Sequence, residues 1–484
     1  MMIRRWGTLL LFAGLLCVSM PVHSQENPPQ TGSPAQAGPP SVPLQGVGTP
    51  EPSSPASNSQ LQPDTHSLTG PFLYTLGSVG EGRSYIEPAF SISEAAQTNA
   101  SYLPNAKANY SGVTVPMAQV SLVHLSRRNQ FNAGYTGGAF LYDNGGVPTS
   151  SFHELDVTDA VLFKRWRISI TDVFSYLPNG GFGFGGIGAL GGLTAGVPSG
   201  LGVGAIGGAV NPMYTPNQSI LTSQLGAYNN ATVAEAVYSL TARTSISAGG
   251  SYGTLQSGNK QTSFVSGNNV MGFAGLQRYL TARDDLGVMY NYETFNYVGL
   301  ASSFRAQVLN LAYGRKITGR LALQLYGGPE LVSYRLGAAP LFTHTSATGT
   351  VSLTYLSGRN TFGMFVSHYA TGGSGVYAGS NTTMISGDWS RQLTQRWSGT
   401  VYGGYSRNTQ LAAVGTSLAG HYNSWFATAI FSRNLGRYLS LRLDYEYQRQ
   451  AASSGTCTPA FCAGSLVSEI FGAGITFRPR PIGL

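Results

Sequence analysis

The segment YLSLRLDYEYQRQ, residues 438–450, sends Leu439, Leu441, Leu443, Tyr445 and Tyr447 to one side and Ser440, Arg442, Asp444, Glu446 and Gln448 to the other. Period two puts these sets on opposite faces of a strand. TSATGTVSLTYL likewise separates Ala347, Gly349, Val351, Leu353 and Tyr355 from Thr348, Thr350, Ser352 and Thr354. FNAGYTGGAFL sets Phe131, Ala133, Tyr135, Ala139 and Leu141 against Asn132, Gly134, Thr136 and Gly138. One face suits hydrocarbon and the other water. Charged residues make up 10% of the chain, against about a quarter in a soluble domain. Mean hydropathy is only −0.02, and no convincing apolar run reaches the roughly 20 residues that a membrane helix needs. Strands that cross a bilayer need only every second residue to be apolar, so these features together predict a transmembrane β-barrel.

Short Arg-bearing turns punctuate the alternation: SRRN at 126, KRWR at 164, ART at 242, TARDD at 281, GRKITGR at 314, GRN at 358, RQLTQR at 391, SRNLGR at 432 and RPR at 478. Most Lys and Arg residues beyond the N-terminus lie in or beside them. Their spacing of about 38 residues fits a hairpin of two membrane-crossing strands with a longer loop at the far end. Counting from 83–94 to 465–477 predicts 18 strands, with 16 or 20 as the alternatives. The fold class is therefore all-β, an antiparallel up-and-down barrel over residues 81–484. It must close, because an open sheet edge in hydrocarbon strands backbone N–H and C=O groups at several kcal/mol each. An even count puts both ends on the short-turn side, which faces the periplasm in an exported barrel, with the long loops outward.

The N-terminus fits that route. Arg4 and Arg5 precede an apolar stretch from Gly7 to Met20, and Val22 and Ser24 form a small-x-small site, so residues 1–24 read as a cleaved signal peptide. Its removal leaves 28 − 2 = 26 basic against 20 acidic residues, a net charge of +6. Residues 25–80 are rich in Pro, Ser and Gln and too poor in large apolar side chains to build a core, which predicts a disordered periplasmic linker. Its 25–70 portion could reach a periplasmic partner or the cell wall. Of three cysteines only Cys457 and Cys462 lie beyond the signal, spaced C-x4-C. In an oxidising compartment such a pair closes a disulfide loop. A metal would need further ligands, and no His or acid lies between Ala451 and Val467.

Hairpin spacing doubles between 165 and 243, where a Gly-rich stretch falls. Residues 180–208 hold fourteen glycines in 29 positions, each costing a helix about 1 kcal/mol relative to Ala. Within it GVGAIG, residues 202–207, matches G-x-G-x-x-G, but Asn211, Pro212 and Pro216 follow in place of a helix and no acid comes until Glu235. A dinucleotide site needs both, so the match is accidental. Residues 178–230 are read as one long loop, with a hidden Gly-rich hairpin as the alternative; as a loop it either folds into the barrel mouth as a constriction or is mobile at the surface.

Catalytic signals are weak. No H-E-x-x-H occurs, and His153 with Asp156, or His368, offer the only rim arrangements of interest. Charged residues on the water-facing side instead suggest a lined pore: Glu235, Glu293, Arg305, Asp388, Arg442, Asp444 and Glu446. Asp159 and Asp172 fall on apolar faces, which implies a register error or a bulge. Arginines in the short turns suit the headgroup level of the lipid, and no continuous basic patch with interleaved aromatics points to nucleic acid.

In signal, alternation, short turns and long loops the chain resembles the bacterial outer-membrane β-barrels of porin type, over about residues 83–478 and without a family-specific motif. The last strand, with Phe471, Ala473, Ile475 and Phe477 in alternation, is followed by seven further residues where that class ends on an aromatic. The resemblance implies a bacterial outer-membrane location, lipid contacts, oligomers as one assembly option, no enzyme activity and no cofactor. Barrels of 16 to 18 strands leave an aqueous channel, so passive diffusion of small hydrophilic solutes is the leading expectation. An export barrel, for instance for an exopolysaccharide, and a structural or adhesive barrel with a closed lumen are the alternatives.

Overall fold

The computed structural model describes residues 84–100, 110–143, 147–177, 227–257, 266–298, 302–335, 341–373, 378–411, 420–453 and 465–484. The signal and linker segments, residues 178–226 of the Gly-rich loop, and Cys457 with Cys462 lie outside them. Alternation folds as its period demands. Long strands run as β1 (Tyr85–Thr98), β2 (Tyr110–Leu125), β3 (Asn129–Tyr142), β4 (Ser150–Leu162), β5 (Trp166–Leu177), β6 (Ala227–Thr241), β7 (Thr244–Ser257), β8 (Gly267–Tyr279) and β9 (Asp284–Tyr297). They continue as β10 (Ser303–Lys316), β11 (Leu321–Arg335), β12 (Phe342–Ser357), β13 (Asn360–Gly373), β14 (Ala378–Gln392), β15 (Trp397–Gln410), β16 (His421–Asn434), β17 (Leu439–Ala452) and β18 (Ser465–Phe477), with a two-residue β19 (Ile482–Gly483). Each strand from β1 to β17 pairs antiparallel with the next. β18 returns to β1, Phe90 opposite Phe477 and Gln97 opposite Ile470, so the ring of 18 closes.

The outer surface is apolar in the way lipid requires. Leu309 and Leu311 on β10, Val288 and Tyr290 on β9, Ile168 and Ile170 on β5 and Phe471 and Ile475 on β18 all stand exposed. Aromatic pairs ring it, including Trp166 with Tyr238, Tyr405 with Trp425 and Tyr445 with Phe471. Asp159 and Asp172 do lie on this face, and no bulge displaces them. Asn129 donates to Asp159 at 2.6 Å, while Asn230 and Thr232 donate to Asp172. Adjacent strands thus satisfy each acid sideways, within the sheet's own surface.

Prolines interrupt the ladder where they must. Val115 and Pro116 of β2 lack paired partners on β3, and pairing between β10 and β11 lapses opposite Gly328 and Pro329, since Pro has no N–H to give. The alternation on either side holds the register through both gaps.

Candidate functional site

Side chains at the alternate positions point into the cylinder. Among the predicted lining residues, Glu235, Glu293, Arg442, Asp444 and Glu446 are buried there, at 4, 5, 5, 7 and 1% exposure, and Asp388 shares the inner face of β14. The same parity brings in Glu154 and Asp156 on β4, Asp285 on β9 and Glu330 on β11. These four could have been found by carrying the two-residue count through SFHELDVTDAVL, DDLGVMYNYETFNY and LALQLYGGPELVSYR.

Arg305 is different. It stands exposed on the outer face of β10, in line with Leu309 and Leu311, and does not line the lumen. It belongs to a set of outward arginines at the long-loop end with Arg335, Arg407 and Arg449, matched at the short-turn end by Arg278, Arg315, Arg391 and Arg433. At these two heights a guanidinium reaches the headgroup layer while its stem covers apolar surface. Arg449 also lies over the Trp425 ring at 5.6 Å, and Arg433 over Trp397 at 5.3 Å.

Inside, the charges are held by neighbours. The Arg442 Nε sits 3.3 Å from Asp444 Oδ1. Gln448 donates to Glu446, Asn269 to Glu293 at 3.4 Å, and Gln277 to Asp285 at 2.8 Å. Such partners offset part of the cost of taking a charge out of water. The His153–Asp156 arrangement is not assembled. Three residues apart on one strand, they point to opposite faces: Asp156 inward, and His153 outward beside the Tyr135 hydroxyl at 2.9 Å. His368 is engaged with Thr383 at 2.7 Å.

Near the long-loop end the wall departs from a simple ring. Pairing of β12 with β13 stops at Gly349 and His368, although β12 begins at Phe342 and continues to pair with β11. Freed from β12, the end of β13 turns into the lumen. Tyr369 packs with Val233 of β6, Met271 and Phe273 of β8 and Val308 of β10. Ala370 joins Phe295 and Tyr297 of β9, Phe304 and Ala306 of β10 and Val332 and Tyr334 of β11. The Tyr297 hydroxyl donates to the Gly372 carbonyl, and the Ala370 amide donates to Glu330 at 3.4 Å, whose other oxygen accepts from Ser346 at 2.9 Å.

Glycine makes this insertion fit. A Cβ on Gly372 would lie 2.3 Å from the Phe295 Cβ, and Gly379 at the start of β14 holds φ at +93°, open chiefly to glycine. The lumen is therefore not uniformly polar, as alternation alone suggested. It carries carboxylates and amides together with an apolar constriction built by β13 against β6 and β8–β11. The chain is a closed 18-stranded antiparallel β-barrel with an inserted strand end.

No family model matches the chain, and no curated protein matches it. Among solved structures it is similar to the outer membrane protein OpdK of Pseudomonas aeruginosa, at 11% identity and a TM-score of 0.40 over 82% of this chain and 99% of that one. OccAB4 of Acinetobacter baumannii gives 10% identity and a TM-score of 0.40 over 82% and 99%. OccK2 (OpdF) of Pseudomonas aeruginosa, in complex with glucuronate, gives 12% and 0.42 over 82% and 98%.

Proposed function

We propose that the chain is a channel of the bacterial outer membrane that lets small hydrophilic solutes diffuse passively. The observation that carries this reading is the sealed 18-stranded ring whose outer face is apolar and whose inner face holds Glu235, Glu293, Asp388, Arg442, Asp444 and Glu446. Buried charge in a barrel that spans lipid is costly unless it meets water or a partner, and it marks solute paths. In this reading Tyr369, Ala370 and Gly372 of the inserted β13 end set the narrowest point. The role is transport, without a catalytic step.

A second reading rests on that same constriction. Apolar contacts from β13 to β6, β8 and β10 cross the lumen, and a barrel that stays shut there serves as a structural element of the membrane. Single-channel recording of the purified full chain in planar bilayers decides between them. Discrete conductance steps are expected, larger after Tyr369→Ala; silence in both the parent and that variant rejects the channel and leaves the closed barrel.

A further inference from the structure

The barrel sorts its charges by sign. Six strands, β4, β6, β9, β11, β14 and β17, put nine carboxylates on the inner face (two each from β4, β9 and β17, one each from the other three), whereas alternation brings in only Arg167, Lys316 and Arg442 from the described strands. The balance is 3 − 9 = −6, counting the Glu87–Arg478 pair at the short-turn rim as neutral. The eight arginines of the outer face sit on the far side of the sheet, at the lipid headgroups. A chain whose formal charge is +8 overall therefore encloses an acidic lumen.

Two further observations place that sign where a solute must pass. Glu330 flanks the inserted β13 end directly, through the Ala370 amide. Glu293 lies on β9 two residues from Phe295, which packs against Ala370 and meets Gly372. Elsewhere in the lumen Glu154 Oε2 and Glu235 Oε1 are fully buried carboxylate oxygens with no hydrogen-bond donor among the described residues. An oxygen in that state is open to a hydrogen-bond donor, of which water, an ammonium and a guanidinium are examples, and not to another acceptor. Charges of one sign inside low-dielectric walls focus the field along the axis, and within a Debye length of about 8 Å they act on every ion in transit.

We infer that the lumen selects for cations, its class of solute being small cationic molecules such as amines and guanidines, with Glu293 and Glu330 as the specificity-determining residues at the constriction. This rests on the channel reading. The test is the reversal potential of the full chain in a planar bilayer under a potassium chloride gradient. A potential of the sign for potassium over chloride is expected, with a permeability ratio of several-fold. Glu293→Gln with Glu330→Gln should lower that ratio, and Arg305→Gln, on the lipid side, should leave it unchanged.

Liposome swelling gives an independent arm, since organic ammonium chlorides should enter faster than sodium salts of organic anions of the same size. Conductance with no preference, or with chloride preferred, overturns the inference while the channel stands. A reversal potential that the double variant leaves untouched removes Glu293 and Glu330 from the role. Absence of any conductance removes the channel reading, and the selectivity with it.

Discussion

At the scale of single residues, parity and charge do not carry the same information. Arg442, Asp444 and Glu446 could be assigned to the inner face because β17 has one plainly apolar side. Arg305 could not, since SFRAQVLNLAYGRK has apolar residues on both sides, Ala306 and Val308 inward and Leu309 and Leu311 outward. Charge then argued for the lumen, while the headgroup layer at the strand's end was an equally good place for a guanidinium. Arg442 shows what an inward charge is worth. Its side chain is 7% exposed and that of Asp444 only 1%, so removing one partner leaves the other uncompensated, at about 3–5 kcal/mol. Arg442→Met should therefore lower the unfolding midpoint of the detergent-solubilised barrel in urea, and adding Asp444→Leu to Arg442→Met should recover most of the loss. A double variant no more stable than the single one would show that the ion pair is not what Arg442 supplies.

At the scale of elements, the strands were legible almost to their ends, because an alternation of 12 or more residues can be read in only one register once one face is known to be apolar. The short turns held a signal that the arginines partly hid. Thr241, Thr281, Thr318 and Thr394 each precede an arginine by two residues, and each Thr hydroxyl accepts the N–H of that arginine, at 3.1, 3.0, 3.1 and 3.3 Å. Three of them also accept the next N–H, from Asp284, Leu321 and Trp397. A hydroxyl that satisfies turn amides pre-forms the reversal. Thr281→Val with Thr318→Val should slow folding into detergent micelles and cost about 1 kcal/mol per turn, read from urea transitions, whereas Thr→Ser at both sites should restore it. The parting of β12 from β13 left no such trace. Its cause is packing of Tyr369 and Ala370 against strands distant in sequence, and the local pattern of β13 is that of any other strand.

At the scale of the whole molecule, closure depends on residues nearly four hundred positions apart. The alternation implied that a ring must close, because hydrocarbon tolerates no free edge, yet it could not say how the seven residues beyond Phe477 would be placed. They turn back under the seam: Ile482 and Gly483 pair with Ile86 and Tyr85, the Leu484 amide donates to Ser84 at 2.9 Å, and Arg478 lies 3.7 Å from Glu87. The chain end thus extends the β1 pairing past the point where β18 has finished, and covers backbone groups that would otherwise face the rim unpaired. The seam itself gives the sharpest test of the ring. Ser91 and Thr476 stand directly opposite across it, at a separation that a disulfide can bridge. Ser91→Cys with Thr476→Cys should form an intramolecular cross-link under mild oxidant, and the cross-linked chain should migrate faster than its reduced form after boiling in dodecyl sulfate. Either single variant should show no such shift. Failure of the pair to cross-link in a folded sample would mean that β1 and β18 do not meet in this register, and the sealed cylinder on which the channel depends would have to be redrawn.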